Sequence, residues 1–240
     1  MYDKTENYEI FIFRSLTEKE DEIETRNSSF CYLDNNFYLY KEDSLTLLEN
    51  GYKDIHKILN KETNHTIKTI EKVFTLIETL EEQVYEREIS SEFLDNWFFS
   101  KKDLLKVERV LSQTAKVYTD FLKDHKKGGE IKSLGFKDIK EHLERYQRLA
   151  DSHLKKLDSI YMFYNTLNSE KTNKTLYMLT WISAFFLPLN LLVGFFGMNT
   201  EGMVFKDNPD GTYFVLFAIG SFLSTLGLAL ILQKYKRKNL

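Results

Sequence analysis

With 240 residues the chain has room for one large or two modest domains. Its 42% hydrophobic and 29% charged residues average over two unlike parts, because most of the charges lie before Leu176 and the final third is largely apolar. A net charge of −3 and a pI near 6.0 give no electrostatic case for nucleic acid. The one cysteine, Cys31, excludes an internal disulfide and a cysteine-only zinc cluster, which fits a reducing compartment.

The N-terminus, MYDKTENYEI, lacks a basic segment followed by an apolar run. No signal peptide is read there, and membrane insertion falls to the C-terminal helices. Residues 1–44 are expected to form a small β-containing cytosolic region. Tyr8 to Leu16 carries IFIF between polar residues, and Ser29 to Tyr40 holds two aromatic-rich runs. Asp34-Asn35-Asn36 separates those runs with residue types that tolerate the left-handed backbone of a tight hairpin.

Cytosolic helices are expected over 45–135. From about Ser44 to Glu88, Ile67, Ile70, Phe74, Ile77, Leu80 and Val84 recur at steps of three or four. Ser90-Ser91-Glu92 offers a break with capping residues. A second helix over Phe93 to Lys123 carries Leu104, Val107, Val110, Leu111, Ala115, Tyr118 and Leu122 on one stripe, and Lys126-Lys127-Gly128-Gly129 marks a turn. Both stripes read as helix packing.

The third helix is expected to begin near Phe136 and meets neither Gly nor Pro before Pro188. That gives about fifty residues, on the order of 75 Å of rod, of which 136–175 form a stalk. Ile139, Leu143, Tyr146, Ala150, Leu154, Leu157, Tyr161, Tyr164 and Leu167 make its seam. The seam predicts bundling against copies of itself or against the two preceding helices. A rod entering the membrane without a hinge transmits tilt or rotation from one side to the other.

Leu176 to Asn199, LYMLTWISAFFLPLNLLVGFFGMN, is a run of about twenty apolar residues without a charge, the length that crosses a bilayer core. Its spanning part is placed at 176–196. Thr180, Ser183 and Asn190 fall with Asn173, Leu176, Leu187 and Gly194 within roughly a third of the helix circumference. Trp181, Phe185, Leu189 and Phe196 lie opposite. An amide in hydrocarbon requires a partner or a water-filled cavity, so the stripe suggests a pore lining. The plainer alternative is that these groups bond another helix or their own backbone.

Gly197-Met198-Asn199 follows directly, before a short polar loop and a second span. Phe186 to Leu189 reads Phe-Leu-Pro-Leu, and Gly194-Phe195-Phe196 runs into the tripeptide. In these residues the sequence resembles the CorA-type magnesium and cobalt channels, the two-transmembrane GxN metal ion transporters. Their hallmark is Gly-Met-Asn at the outer end of the first of two C-terminal membrane helices. FKDIKEH at Phe136 to His142 and KTN at Lys171 to Asn173 look like the start and end of that family's stalk helix.

The resemblance implies a homopentamer whose Gly197, Met198 and Asn199 form a selectivity filter, with Asn173 at the cytosolic mouth. It also sets Asp138 where such stalks place an acidic ligand for a regulatory divalent cation at a subunit boundary. A solvated first-turn carboxylate, favoured by the helix dipole, is the alternative. Asn190 stands where members often carry Thr. Family members usually have a much larger α/β domain ahead of the stalk, and this chain reads as an unusually short member.

The loop at 197–212 is mildly acidic through Glu201, Asp207 and Asp210 against Lys206. Residues 213–232 form the second span, with Gly220, Ser221, Ser224 and Gly227 as small contact surfaces. The tail at 233–240 holds Lys234, Lys236, Arg237 and Lys238. By the positive-inside rule both termini are cytosolic, giving a two-pass protein of lipid, most simply of a bacterial inner membrane. The fold class is thus a mainly α membrane protein with a small N-terminal β region.

Mg²⁺ binds hard oxygen ligands and sheds water reluctantly, so amides at the mouth suit the hydrated ion. Mg²⁺ is read as substrate and regulatory ligand, with Co²⁺ or Ni²⁺ permitted and no organic cofactor. Leu187 and Leu176 form apolar constrictions along the path. A zinc-transporting member of the same superfamily and a non-conducting coiled-coil scaffold are the alternatives. No phosphate loop, HExxH or CxxC motif supports an enzyme, and His56, His65, His125, His142 and His153 are expected on solvated helix faces.

Overall fold

The structure is a computed structural model. It describes residues 1–20, 22–125, 131 and 135–197 and, beyond them, 210, 211, 213, 214, 217, 219–222, 224 and 225. Five strands come first: β1 (Tyr2–Lys4), β2 (Tyr8–Lys19), β3 (Glu22–Leu33), β4 (Asn36–Lys41) and β5 (Ser44–Leu48). They pair antiparallel in sequence order.

Tight turns set that order. Lys19 registers with Glu22, Leu33 with Asn36 and Lys41 with Ser44, leaving two residues for each reversal. Glu20, Asp34, Asn35, Glu42 and Asp43 all have positive φ, the backbone whose twist matches paired strands. The Asp34-Asn35 turn lies where its residue types place it. The Glu42-Asp43 turn has neither Gly nor Asn, and the residues after it correct the expected helix start. Ser44–Leu48 is an edge strand, and helix α1 (Tyr52–Glu86) begins only after it.

Alternation along IFIF sends Phe11 and Phe13 to one face of the sheet, where both are buried. Phe11 stacks on Phe30 at 5.8 Å and on Phe121 at 4.7 Å, and Phe13 meets Tyr118 edge-on at 6.3 Å. Helices α1 and α2 (Phe93–Asp124) cover this face. They also exchange hydrogen bonds with β2. The Leu16 N–H donates to Thr66 Oγ1 on α1 (3.0 Å), and Thr114 Oγ1 on α2 donates to the Arg14 carbonyl (3.1 Å).

The third helix, α3 (Phe136–Gly197), supplies Ile139, Leu143, Ala150 and Leu157 to the same core as Ile70, Ile77 and Leu80 of α1 and Leu104 and Leu111 of α2. The Trp97 indole N–H donates to the Leu157 carbonyl at 2.9 Å. Of the two partners open to the seam, α1 and α2 of the same chain take it: Tyr161 stacks on Trp97 at 4.6 Å, Tyr164 on Phe93 at 4.9 Å, and Leu167 packs against the same core. The capping expected of Ser90 to Glu92 is not made: the Ser90 hydroxyl donates to Gln83 Oε1, and Glu92 at the start of α2 makes no side-chain cap. The turn at Lys126 to Gly129 lies outside the described residues. By its contacts the chain forms two compact units, Met1–Asn168 and Ser169–Leu240, so α3 ends the first and opens the second.

Solvated surface, expected of the five histidines, is found for His65 and His142. The flat imidazole of His153 instead stacks on Phe74, with ring centres 3.8 Å apart and planes at 3°. His56 packs against Phe136 at 5.1 Å. His125 lies between two acceptors, its Nδ1 2.9 Å from the Phe121 carbonyl and its Nε2 3.2 Å from Glu9 Oε2. Two acceptors require two ring protons, hence an imidazolium.

Burial opposes that charge on His125. Its hydrogen bonds to Glu9 and to the Phe121 carbonyl outweigh burial and the repulsion from Lys4, and hold the pKa above the ordinary imidazole value. A pKa higher in the folded than in the unfolded chain stabilises fully below about pH 6.5, and the effect fades as pH rises through the folded value. Thermal unfolding of the wild type should therefore shift downward between pH 6 and 8.5 by more than that of His125→Gln. Equal shifts in the two proteins would count against the clamp.

Candidate functional site: the polar edge of α3

From Ser169 to Gly197 every described side chain of α3 is exposed or at most partly covered. Leu179, Leu187, Leu191 and Val193 are between 58% and 74% accessible. Within the described residues α3 is the one helix long and apolar enough to cross a membrane, and none of its most apolar window is buried. Hydrocarbon or neighbouring helices must cover such a surface.

The polar edge runs along it. Asn173, Leu176, Thr180, Ser183, Leu187, Asn190 and Gly194 are helical and exposed, and Asn173 to Gly194 spans about 32 Å at 1.5 Å per residue, close to a bilayer core. Thr180 realises part of the plainer alternative: its hydroxyl donates to the Leu176 carbonyl at 2.8 Å. That bond consumes the proton and leaves the oxygen lone pairs facing outward, so Thr180 presents an acceptor. Gly194 and Gly197 have open space where a side chain would begin.

Pro188 lies inside α3. Having no N–H, it cannot bond the Ala184 carbonyl one turn earlier. At 100° per residue Ala184 borders the polar edge between Thr180 and Leu187. This oxygen was missed in reading side chains alone, although the proline itself is the signal for it. Met198, Asn199 and Glu201 lie outside the described residues. Gly197 ends α3. Of the described residues beyond 209, Tyr213, Phe214 and Phe217 are 73%, 58% and 76% accessible.

Asp138 is exposed in the first turn of α3, its N–H bonded to the Gly135 carbonyl at 3.0 Å. Gly135 has φ +77°, and a Cβ there would sit 3.4 Å from both Asp138 Oδ2 and His56 Nε2, so the two side chains flank it. Burial, and then the Asp138 charge, push the Tyr118 hydroxyl far up, and it stays protonated as donor to the Phe136 carbonyl at 2.9 Å. Among the described residues no three His, Cys, Asp or Glu converge on a metal position. Asp138 and Asn173 are far apart on α3, and the chain does not bring them into one site.

A helical bundle capped by a meander sheet, with one bare apolar helix bearing a polar edge, defines a protein with a candidate membrane-crossing segment. The family described as "CorA-like Mg2+ transporter protein" matches residues 1–237, and the chain belongs to that family. Its sequence is 25% identical over 179 residues to YfjQ of Bacillus subtilis, covering 70% of this chain and 56% of that protein. It is 26% identical over 135 residues to the cobalt/magnesium transport protein CorA of Thermotoga maritima, covering 56% and 38%. The chain thus spans about half the length, or less, of these relatives. The fold matches the CorA magnesium transporter of Methanocaldococcus jannaschii with a TM-score of 0.74 at 16% identity, over 95% of this chain and 77% of that one.

If the edge faces water, cysteines placed along it will react where those opposite will not, because a thiolate forms in water and not in hydrocarbon. In a Cys31→Ser background, Thr180→Cys, Ser183→Cys and Asn190→Cys should be modified by a charged thiol reagent at least about tenfold faster than Phe185→Cys and Leu189→Cys. Equal rates on the two faces would assign the edge to packing.

Proposed function

We propose that the protein is a divalent cation channel that moves Mg²⁺ across a membrane into the cytosol, with Co²⁺ and Ni²⁺ also admitted. The observation that carries this reading is the exposed polar edge of α3 on an apolar stretch of which no residue in the most apolar window is buried. One protomer offers one edge, and a closed path needs several copies around an axis. A homopentamer supplies it, as the family resemblance suggests.

In this reading Asn173, Leu176, Thr180, Ser183, Leu187, Asn190 and Gly194 line the path. Gly197, Met198 and Asn199 form the outer filter, with Glu201 adding negative charge at the mouth. Mg²⁺ keeps its water shell and is held by amide and hydroxyl oxygens through those waters, since no carboxylate lies in the span. Leu176 and Leu187 close it by dewetting. Membrane potential drives the ion inward at about 2.3 kcal/mol per charge per 100 mV, doubled for a divalent cation. The second span, 213–232, and cytosolic termini complete a two-pass topology in a bacterial inner membrane.

Asp138 is the proposed regulatory ligand. One exposed carboxylate beside His56 is an incomplete site, and a ligand from the next subunit completes it. Zinc transport within the same superfamily is the competing substrate reading, and a non-conducting scaffold is the competing class.

Flux into proteoliposomes tests all three. Mg²⁺ uptake exceeding Zn²⁺ uptake, without need of a proton gradient, is the expected result, and absence of any flux would leave the scaffold. Asn199→Ala should abolish selective Mg²⁺ uptake while the oligomer survives in gel filtration; undiminished selective flux would remove Asn199 from the filter. Asp138→Ala should raise the internal Mg²⁺ needed for half inhibition by about tenfold, the scale of one charged ligand. An unmoved inhibition curve would return Asp138 to the solvated surface.

A further inference from the structure

Away from α3, a cavity of about 600 Å³ lies between the sheet and the first turns of α1. Arg26 of β3, Lys41 of β4 and Lys57, Lys61 and Lys68 of α1 line it, five cations against one carboxylate, Glu62. The chain as a whole has a net charge of −3. The cavity inverts the sign of the molecule.

The one acid is already satisfied. Glu62 is buried, with Lys41 Nζ on one oxygen and the Ser15 hydroxyl donating to the other at 2.8 Å. Arg26 reaches Glu42 at 3.6 Å across an exposed pair, where attraction is weak. Lys57, Lys61 and Lys68 have no carboxylate within 4 Å among the described residues, and all three are exposed. Their spacing of four and seven puts them within about 40° of one another on the helix.

Fold stability does not account for this arrangement. Like charges at i and i+4 repel along a helix. The helix dipole also favours acids near the N-terminus and bases near the C-terminus. Lys53, Lys57, Lys61 and Lys68 outnumber Asp54 and Glu62 in the first half of α1, and Glu71, Glu78, Glu81, Glu82 and Glu86 outnumber Lys72 in the second, the reverse order. Asp54 is the one acid of the first turn, and it bonds the Asn50 N–H at 3.0 Å. A bound anion relieves the repulsion. The same wall carries the amides of Asn60 and Asn64 and the imidazole of His65, whose Nε2 lies 3.2 Å from Thr17 Oγ1.

We propose that this cavity binds a small oligophosphate, with the phosphate chain on Lys57, Lys61 and Lys68 and Arg26 at its rim. Ammonium groups suit phosphate oxygens as point charges, and Arg adds a bidentate fork. The Asn60 and Asn64 amides are placed to receive a group attached to the chain, such as a nucleoside. Binding here does not depend on the channel reading.

The test is calorimetric titration of the full chain in detergent and metal-free buffer, with inorganic triphosphate and with ATP as probes. Saturable binding of one probe per chain, weakening as KCl is raised, is expected. Tighter binding of ATP than of triphosphate would assign the nucleotide, and equal affinity the phosphate chain alone. Lys57→Glu and Lys61→Glu should each weaken binding about tenfold, whereas Lys116→Glu, an exposed position on α2 outside the cavity, should not change it. No heat with either probe, or a loss in Lys116→Glu equal to that in Lys61→Glu, would overturn the site. Because the readout is binding, a failed flux assay does not bear on it.

Discussion

The surface of α3 between Leu176 and Phe195 is not stable against water. Leu176, Met178, Leu179, Phe186, Leu187, Leu191, Val193 and Phe195 stand more than half exposed along that stretch, and each one fully buried gains on the order of 1.5–3 kcal/mol. No described element of the chain covers them. The helix therefore needs another solvent, and hydrocarbon supplies it at the right length. The same helix behaves differently earlier, where Leu143, Ala150 and Leu157 are sealed by α1 and α2. One continuous helix thus carries two hydrophobic surfaces, one satisfied within the chain and one left for lipid or copies of itself.

Much of this was legible because periodicity is local. Of the expected stripe, Ile70, Phe74, Ile77, Leu80 and Val84 are buried in α1 and Ile67 is half-buried, and α3 begins at Phe136 as its composition indicates. The strand Ser44–Leu48 was not legible. SLTLL fits either period over five residues, and its turn uses Glu42-Asp43 in a left-handed backbone that those residue types do not announce. The packed histidines were hidden for a different reason. His125 and His153 sit on charged stretches of sequence, and what buries them, Glu9 and Phe74, lies far away along the chain. The cavity above α1 was invisible for the same cause, since Arg26 and Lys41 join the lysines only once the sheet has folded.

The edge of α3 was legible in position but not in chemistry. The sequence yields Thr180 as a hydroxyl, able to donate or accept. The structure commits its proton to the Leu176 carbonyl, so only the accepting side faces out. Pro188 has no N–H for the Ala184 carbonyl one turn earlier, which removes one helical donor beside the edge. Both changes act in one direction. A hydrated cation presents outward-pointing water hydrogens, and these need acceptors; a hydrated anion needs donors. In the proposed channel these acceptors, with the amide oxygens of Asn173 and Asn190, would favour the cation by dipoles, without a carboxylate to bind it tightly. In the proposed channel that balance is what passage requires, because a divalent ion held by full charges in a low-dielectric path would enter readily and leave slowly.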